Sequence, residues 1–127
     1  MKLQQLIEAE RQEQNGFHVN LESRTKDNNK FRDVLYTTPQ MQLVLMSLKP
    51  QEDIGIELHP NTSQFIRVDD GSGEAIVGNN TTYLENGDAI VIPAGVRHNI
   101  IAGNQGMKLY VVYSPPNHER GEEQEEK

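Results

Sequence analysis

The stretch TTYLENGDAIVIPAGVRHNII, residues 81–101, decides the fold. It holds three short runs of β-forming residues, at 81–84, 89–92 and 97–101, cut by two turn signals. Asn86-Gly87 is a two-residue hairpin signal, because both central positions of such a turn need a positive φ that Asn and Gly reach at small cost. Pro93-Ala94-Gly95 stops the second run, since proline has no N–H to give a ladder and glycine frees the backbone to turn.

The same punctuation runs outward in both directions. Upstream, residues 31–38 are rich in β-formers, and 41–48 are so continuously apolar that both faces of a strand are buried there. Further strands are expected at 54–59, ending at Pro60-Asn61, and at 64–68, ending at Asp69-Asp70-Gly71-Ser72-Gly73. Another, at 74–77, ends at Gly78-Asn79-Asn80. Downstream, residues 107–113 lie between a Gly103–Gly106 turn and Ser114-Pro115-Pro116. Many short strands with this spacing predict an all-β sandwich or barrel.

The ends read differently. Leu3, Leu6 and Ile7 repeat at helical spacing, so a short amphipathic helix is expected within residues 2–14, closed by Asn15-Gly16. Residues 20–30 are polar and unpatterned and read as a loop. Residues 117–127 read as a disordered acidic tail, with five Glu among Glu119–Lys127 against Arg120 and Lys127. The expected organisation is a helix and loop over 1–30, a barrel over 31–116 and the tail over 117–127.

Bulk properties narrow the function. A chain of 127 residues suits one domain, and with 35% apolar residues its core must be economical. A net charge of -7 disfavours nucleic acid and anionic membrane surfaces as partners. The absence of cysteine removes disulfides, thiol chemistry and thiolate metal sites. Residues 1–15 contain no apolar run of signal or membrane-span length, so a cytoplasmic location is expected.

Strand alternation brings chemistry-bearing residues together. In residues 54–59, Ile54, Ile56 and Leu58 share one face, and Glu57 and His59 share the other. Gln64 opens the next strand, on a face with Ile66 and Val68. His98 follows the Pro93-Ala94-Gly95 turn, which can aim it back at the others. Carboxylate oxygen, amide oxygen and neutral imidazole nitrogen are donors that a first-row divalent ion accepts. Each residue also fits a role without chemistry: a hydrogen-bonded His, an edge-strand Glu facing solvent, a turn Gln. His18 and His118 lie in polar stretches and read as solvated. Asp69-Asp70 reads as turn chemistry, and Tyr36, Tyr110 and Tyr113 as packed strand residues.

These residues resemble the cupin superfamily. Gly87, Pro93, Gly95 and His98 match the second cupin motif in every interval, although Ala102 stands where that motif has Asn, with Asn99 nearest. In the first motif Gly55 leads, Glu57-x-His59 occupies the His-x-His slot, Gln64 the Glu slot, and Gly71 the closing Gly. Together with Ser114-Pro115-Pro116-Asn117-His118, this looks like a bacterial and archaeal group of small single-domain cupins labelled sugar-phosphate-isomerase-like. Gln in the third slot also occurs in cupins that linearise unsaturated uronates, but those keep the first His, which is Glu57 here.

The resemblance implies a double-stranded β-helix, a jelly-roll barrel, holding one divalent metal ion through Glu57, His59, Gln64 and His98. Manganese, iron, cobalt, nickel, copper and zinc all remain open. It implies an isomerase- or epimerase-like enzyme acting on a small sugar-like or carbonyl-bearing substrate, with Glu57 as ligand or as general base. Alternatives are an iron-dependent dioxygenase, a non-catalytic metal- or small-molecule-binding module, and a structural cupin with an empty site. Outward-facing Ile54, Ile56 and Leu58 need cover, and a homodimer is expected.

Overall fold

The computed structural model of the protein describes residues 2–4 and 15–127; the helix expected over residues 2–14 falls largely outside them. Among the described residues the elements are α1 (Leu21–Asp27), β1 (Arg32–Thr37), β2 (Gln42–Leu48), β3 (Ser63–Val77), β4 (Asn80–Glu85), β5 (Ala89–Ile92), β6 (His98–Ser114) and β7 (Glu123–Gln124). All strand pairs are antiparallel. Neighbours follow the order β4-β3-β6-β2-β1-β7, and β5 also pairs with β3. This is the expected all-β jelly-roll barrel. No described helix is long and apolar enough to cross a membrane.

Alternation along the strands builds the interior. Val44, Met46 and Leu48 of β2, Ile66 and Val68 of β3, and Ile100, Leu109 and Val111 of β6 all join one buried cluster. Leu45 points the other way and is buried too, which is why residues 41–48 read as apolar on both faces.

The longest elements differ from the sequence expectation. Residues 64–68 and 74–77 are one strand, and so are 97–101 and 107–113; the Asp- and Gly-rich segments between them do not reverse the chain. They are irregularities in a ladder that continues past them. Pairing of β3 with β6 shifts between Val68 and Asp70, leaving Asp69 without a partner in β6. It shifts again where residues 103–106 of β6 stand opposite Ser72 alone. Such bulges bend long strands so that the sheet wraps on itself. Glycine is required at the bend. Gly71 and Gly106 have φ of +84° and +75°, and a Cβ on Gly71 would lie 2.1 Å from the Gly106 carbonyl oxygen.

Residues 54–59 do not form the expected strand either. Gly55 adopts φ +108°, which breaks the period of two, and the backbone here pairs with β6 through isolated bridges at Asp53–Ile101 and Glu57–His98 in place of a continuous ladder. Consequently Ile54 packs on the core, while Ile56 and Leu58 are exposed.

The loop expected over 20–30 contains α1. Seven residues are too few for an apolar period to show. Their helix is set by charge and capping: Asn20 Oδ1 accepts from the Ser23 N–H at 3.1 Å, and Lys26 pairs with Glu22 one turn earlier at 2.9 Å.

The acidic tail, expected to be disordered, is seated along β1. The Phe31 N–H donates to the Glu125 carbonyl and the Val34 N–H to that of Glu122, at 3.1 and 2.9 Å, around the β7–β1 pairing. Lys30, Arg32 and Lys49 face Glu123, Glu122 and Glu126. A charge run that repels itself in isolation is therefore neutralised by basic residues on and beside β1. Exposed ion pairs contribute little each, so the backbone pairing sets the register.

Candidate metal centre

Glu57, His59, Gln64 and His98 come from three separate stretches of chain. The Glu57 N–H donates to the His98 carbonyl and the His98 N–H to the Glu57 carbonyl, each at 2.9 Å. This reciprocal pair sets the two side chains next to each other on one face. Asn99 supports the same segment: its Oδ1 accepts from the Gly55 N–H and its Nδ2 donates to Asp53 Oδ2, both at 2.9 Å. His59 is fixed to the turn before His98, because its carbonyl accepts from the Gly95 N–H at 2.8 Å. Gln64 begins β3 and is flanked in the sheet by Ile92 and Tyr113.

Among the described residues, Glu57, His59 and His98 offer ligand atoms that all lie within 4.8 Å of one another. His59 Nε2 donates to Glu57 Oε2 at 2.7 Å. His98 Nδ1 donates to the Val96 carbonyl at 2.9 Å, so its lone pair is on Nε2, facing the cluster. Metal-binding imidazoles are held in this way, with the second nitrogen bonded to a carbonyl or carboxylate. The Gln64 amide lies 2.9 Å from that same Nε2, through its NH2 group; a half-turn of the amide presents the oxygen instead. His98 and Gln64 are buried, and Glu57 is the most open of the four. The donor set therefore fits a divalent ion: two imidazoles, one carboxylate and one amide, without thiolate. The Glu57, His59 and His98 triad is able to hold a metal.

A second layer surrounds the triad. The Tyr113 ring stands edge-on to His59, with centroids 6.1 Å apart, and its hydroxyl meets His118 Nε2 at 3.3 Å. Burial, and then the Glu57 charge, pushes the Tyr113 phenol well above its ordinary range. His118, expected to be solvated, is instead half-buried. Burial first, then the positive charge of Arg32 and of His59, pushes it down to about 4. His18 is exposed, as expected.

Sequence reasoning missed His118 and Gln42. Gln42 is fully buried, and its amide holds the backbone of Asn117 and His118 through bonds of 3.1, 2.9 and 2.7 Å. The Ser114–His118 run marks the resemblance but not where His118 lies, and no local pattern marks Gln42, because their meeting depends on the path of the tail across the sheet.

Residues 44–113 match the cupin domain family, Cupin_2. The chain belongs to the cupin family. This cupin is 46% identical over 112 residues to the uncharacterized protein YrkC of Bacillus subtilis, aligning 83% of its own length and 60% of that protein's, so it spans less than two thirds of that relative. It is 46% identical over 109 residues to the uncharacterized protein L612 of Acanthamoeba polyphaga mimivirus, covering 82% of this chain and 68% of that one. BH2720 of Bacillus halodurans superposes with a TM-score of 0.85 at 41% identity, over 87% of this cupin and 89% of that chain. KdgF from a Halomonas species shares the fold at a TM-score of 0.65 and 22% identity, over 68% and 78% of the two chains.

Proposed function

We propose that this cupin is a metal-dependent enzyme acting on a small sugar-like or carbonyl-bearing molecule, with one divalent ion held by Glu57, His59 and His98 and contacted by the Gln64 amide. The observation that carries this reading is the convergence of the three donor atoms within 4.8 Å, with the lone pair of His98 aimed by the Val96 carbonyl. The chemistry supplied by an ion in such a set is Lewis-acid polarisation of a carbonyl.

The protein's own groups divide the remaining work. The buried Gln64 amide and the Tyr113 wall keep water from one side of the cluster. In the alternative arrangement, with the ion on the other donors and Glu57 near it but not bound to it, Glu57, the most open of the four, is the general base that takes a proton from a carbon beside a carbonyl; its exposure supports that reading. Return of the proton to the neighbouring carbon is an isomerisation, and delivery of a proton to the opposite face of the same carbon is an epimerisation. Glu57→Gln separates the two roles of this residue. Loss of turnover with metal retained marks a base, and loss of both marks a ligand. Turnover unchanged on an identified substrate contradicts the base role.

Two imidazoles and one carboxylate are also the donor set of non-haem iron oxygenases, so an iron-dependent dioxygenase is the second reading. Oxygen uptake that requires ferrous ion distinguishes it. The proposal includes a homodimer, supported by the exposure of Ile56 at 75% and Val91 at 62%. A monomeric mass at micromolar concentration contradicts that part.

A further inference from the structure

The C-terminal segment carries a histidine to the edge of the candidate metal centre, and nothing in the proposed reaction uses it. Gln42, at 0% exposure, grips the backbone on both sides of residue 118: its Oε1 accepts from the N–H groups of Asn117 and His118, and its Nε2 donates to the His118 carbonyl. A buried amide with both ends engaged holds the chain in one place, since each bond lost inside would leave a polar group without a partner.

The tautomer of His118 follows from its neighbours. Nε2 faces two donors, the Tyr113 hydroxyl at 3.3 Å and Asn117 Nδ2 at 3.4 Å, and so acts as the acceptor. Nδ1 then carries the proton and faces the Glu122 carboxylate at 3.5 Å, itself 3.8 Å from Arg32. The neutral ring is the form that burial favours here. The Tyr113 and His118 rings meet edge-on, with centroids 5.1 Å apart.

His59 and His98 are supported unequally. His98 has the Val96 carbonyl behind its Nδ1. The imidazole of His59 bonds to Glu57, and its flank rests against the edge of the Tyr113 ring. The Tyr113 ring is thus a packing neighbour of His59, where His98 has a hydrogen bond.

We propose that His118 is a positioning residue of the metal centre: by accepting from the Tyr113 hydroxyl it fixes the ring that packs against His59, and so sets the affinity of the site for its ion. This rests on the metal-binding reading above. The order of support runs from Gln42 to the His118 backbone, from His118 to Tyr113, and from Tyr113 to His59, so the tail is part of the site.

The test is titration of the full chain with Co²⁺, followed by visible absorption, beside thermal melts of each variant. His118→Ala is expected to weaken Co²⁺ binding about tenfold and to alter the ligand-field bands, in line with the loss of an outer support. His118→Gln, whose amide oxygen also accepts from a hydroxyl, restores binding to within about twofold. Tyr113→Phe reproduces the loss, and adding it to His118→Ala brings no further loss, because one bond is broken in each case. Unchanged Co²⁺ affinity in a folded His118→Ala protein overturns the inference and leaves the metal reading intact. So does a loss that Gln does not restore. A wild-type protein that takes up no Co²⁺ overturns the metal reading and this inference together.

Discussion

Glu57 and His98 lie far apart in sequence yet exchange both of their backbone hydrogen bonds, in an isolated bridge that joins a residue outside any strand to the first residue of β6. Two donors of the candidate centre are therefore aligned by a single reciprocal contact. Around it, Gly55 leaves the β conformation and the turn at residues 93–95 redirects the chain. The relative position of these side chains depends on what braces that bridge.

Asn99 is the brace. Replacing it with Ala leaves the Gly55 N–H and the Asp53 carboxylate short of a partner. Asn99→Ala is expected to lower unfolding free energy by about 1–2 kcal/mol, measured by urea denaturation. It is also expected to weaken divalent-metal binding, because Glu57 loses its fixed approach to His98.

Gln42 has the same kind of role for the tail. Gln42→Ala removes four hydrogen bonds, three to the backbone of Asn117 and His118 and one to Thr37 Oγ1, and opens a void in a fully buried position. A loss of about 2–3 kcal/mol in urea denaturation is expected. Trypsin cleavage at Arg120 should quicken as the segment is released. A variant as stable and as resistant as the wild type would show that the segment is held elsewhere.

The bend of the barrel rests on Gly71 and Gly106. Gly106→Ala combines a φ of +75° with a Cβ 2.5 Å from the Leu48 carbonyl oxygen. Because the Cβ is fixed by the backbone and the atom it meets is a backbone oxygen, relief requires the strands to move apart. A drop of at least about 2 kcal/mol is expected, read as a lowered melting temperature. Gly87→Ala, which meets nothing within 4 Å, should show a smaller drop from its φ of +93° alone.

The barrel, and the candidate ligands Glu57, His59 and His98 that come together in it, were legible in the sequence for reasons that are local. Asn86-Gly87 and Pro93-Ala94-Gly95 are turn chemistry, and both turn the chain where expected. Period-two alternation puts Gln64, Ile66 and Val68 on one buried face. What was not legible is non-local. Asp69-Asp70-Gly71-Ser72-Gly73 looks like a hairpin by composition, but the β6 ladder continues beside it and turns it into a bulge. The acidic tail looks disordered by charge, yet β1 offers it an edge and basic partners. His118 looks solvated because only the course of that tail brings it to Tyr113.

Acid should separate the wild type from His118→Gln. His118 titrates near 4 when folded and near its ordinary 6.5 when unfolded, so between those values the unfolded chain binds the extra proton. Stability from this residue is complete above about pH 6.5 and is lost as pH falls toward 4. Arg32, Glu122, Tyr113 and His59 surround the ring and are shared by both proteins. The difference in unfolding free energy between them should therefore change with pH by up to about 1.4 kcal/mol per unit in that window. A constant difference from pH 4 to 7 would contradict a buried neutral ring.

The most direct test of the metal centre is elemental analysis of the purified protein beside a His59→Ala/His98→Ala double variant. The expected result is near-stoichiometric divalent metal in the wild type and none in the variant, which also names the ion and selects between isomerase and oxygenase assays. Metal absent from both proteins after reconstitution would contradict the account, and would leave the cluster of Glu57, His59 and His98 as a scaffold without an ion.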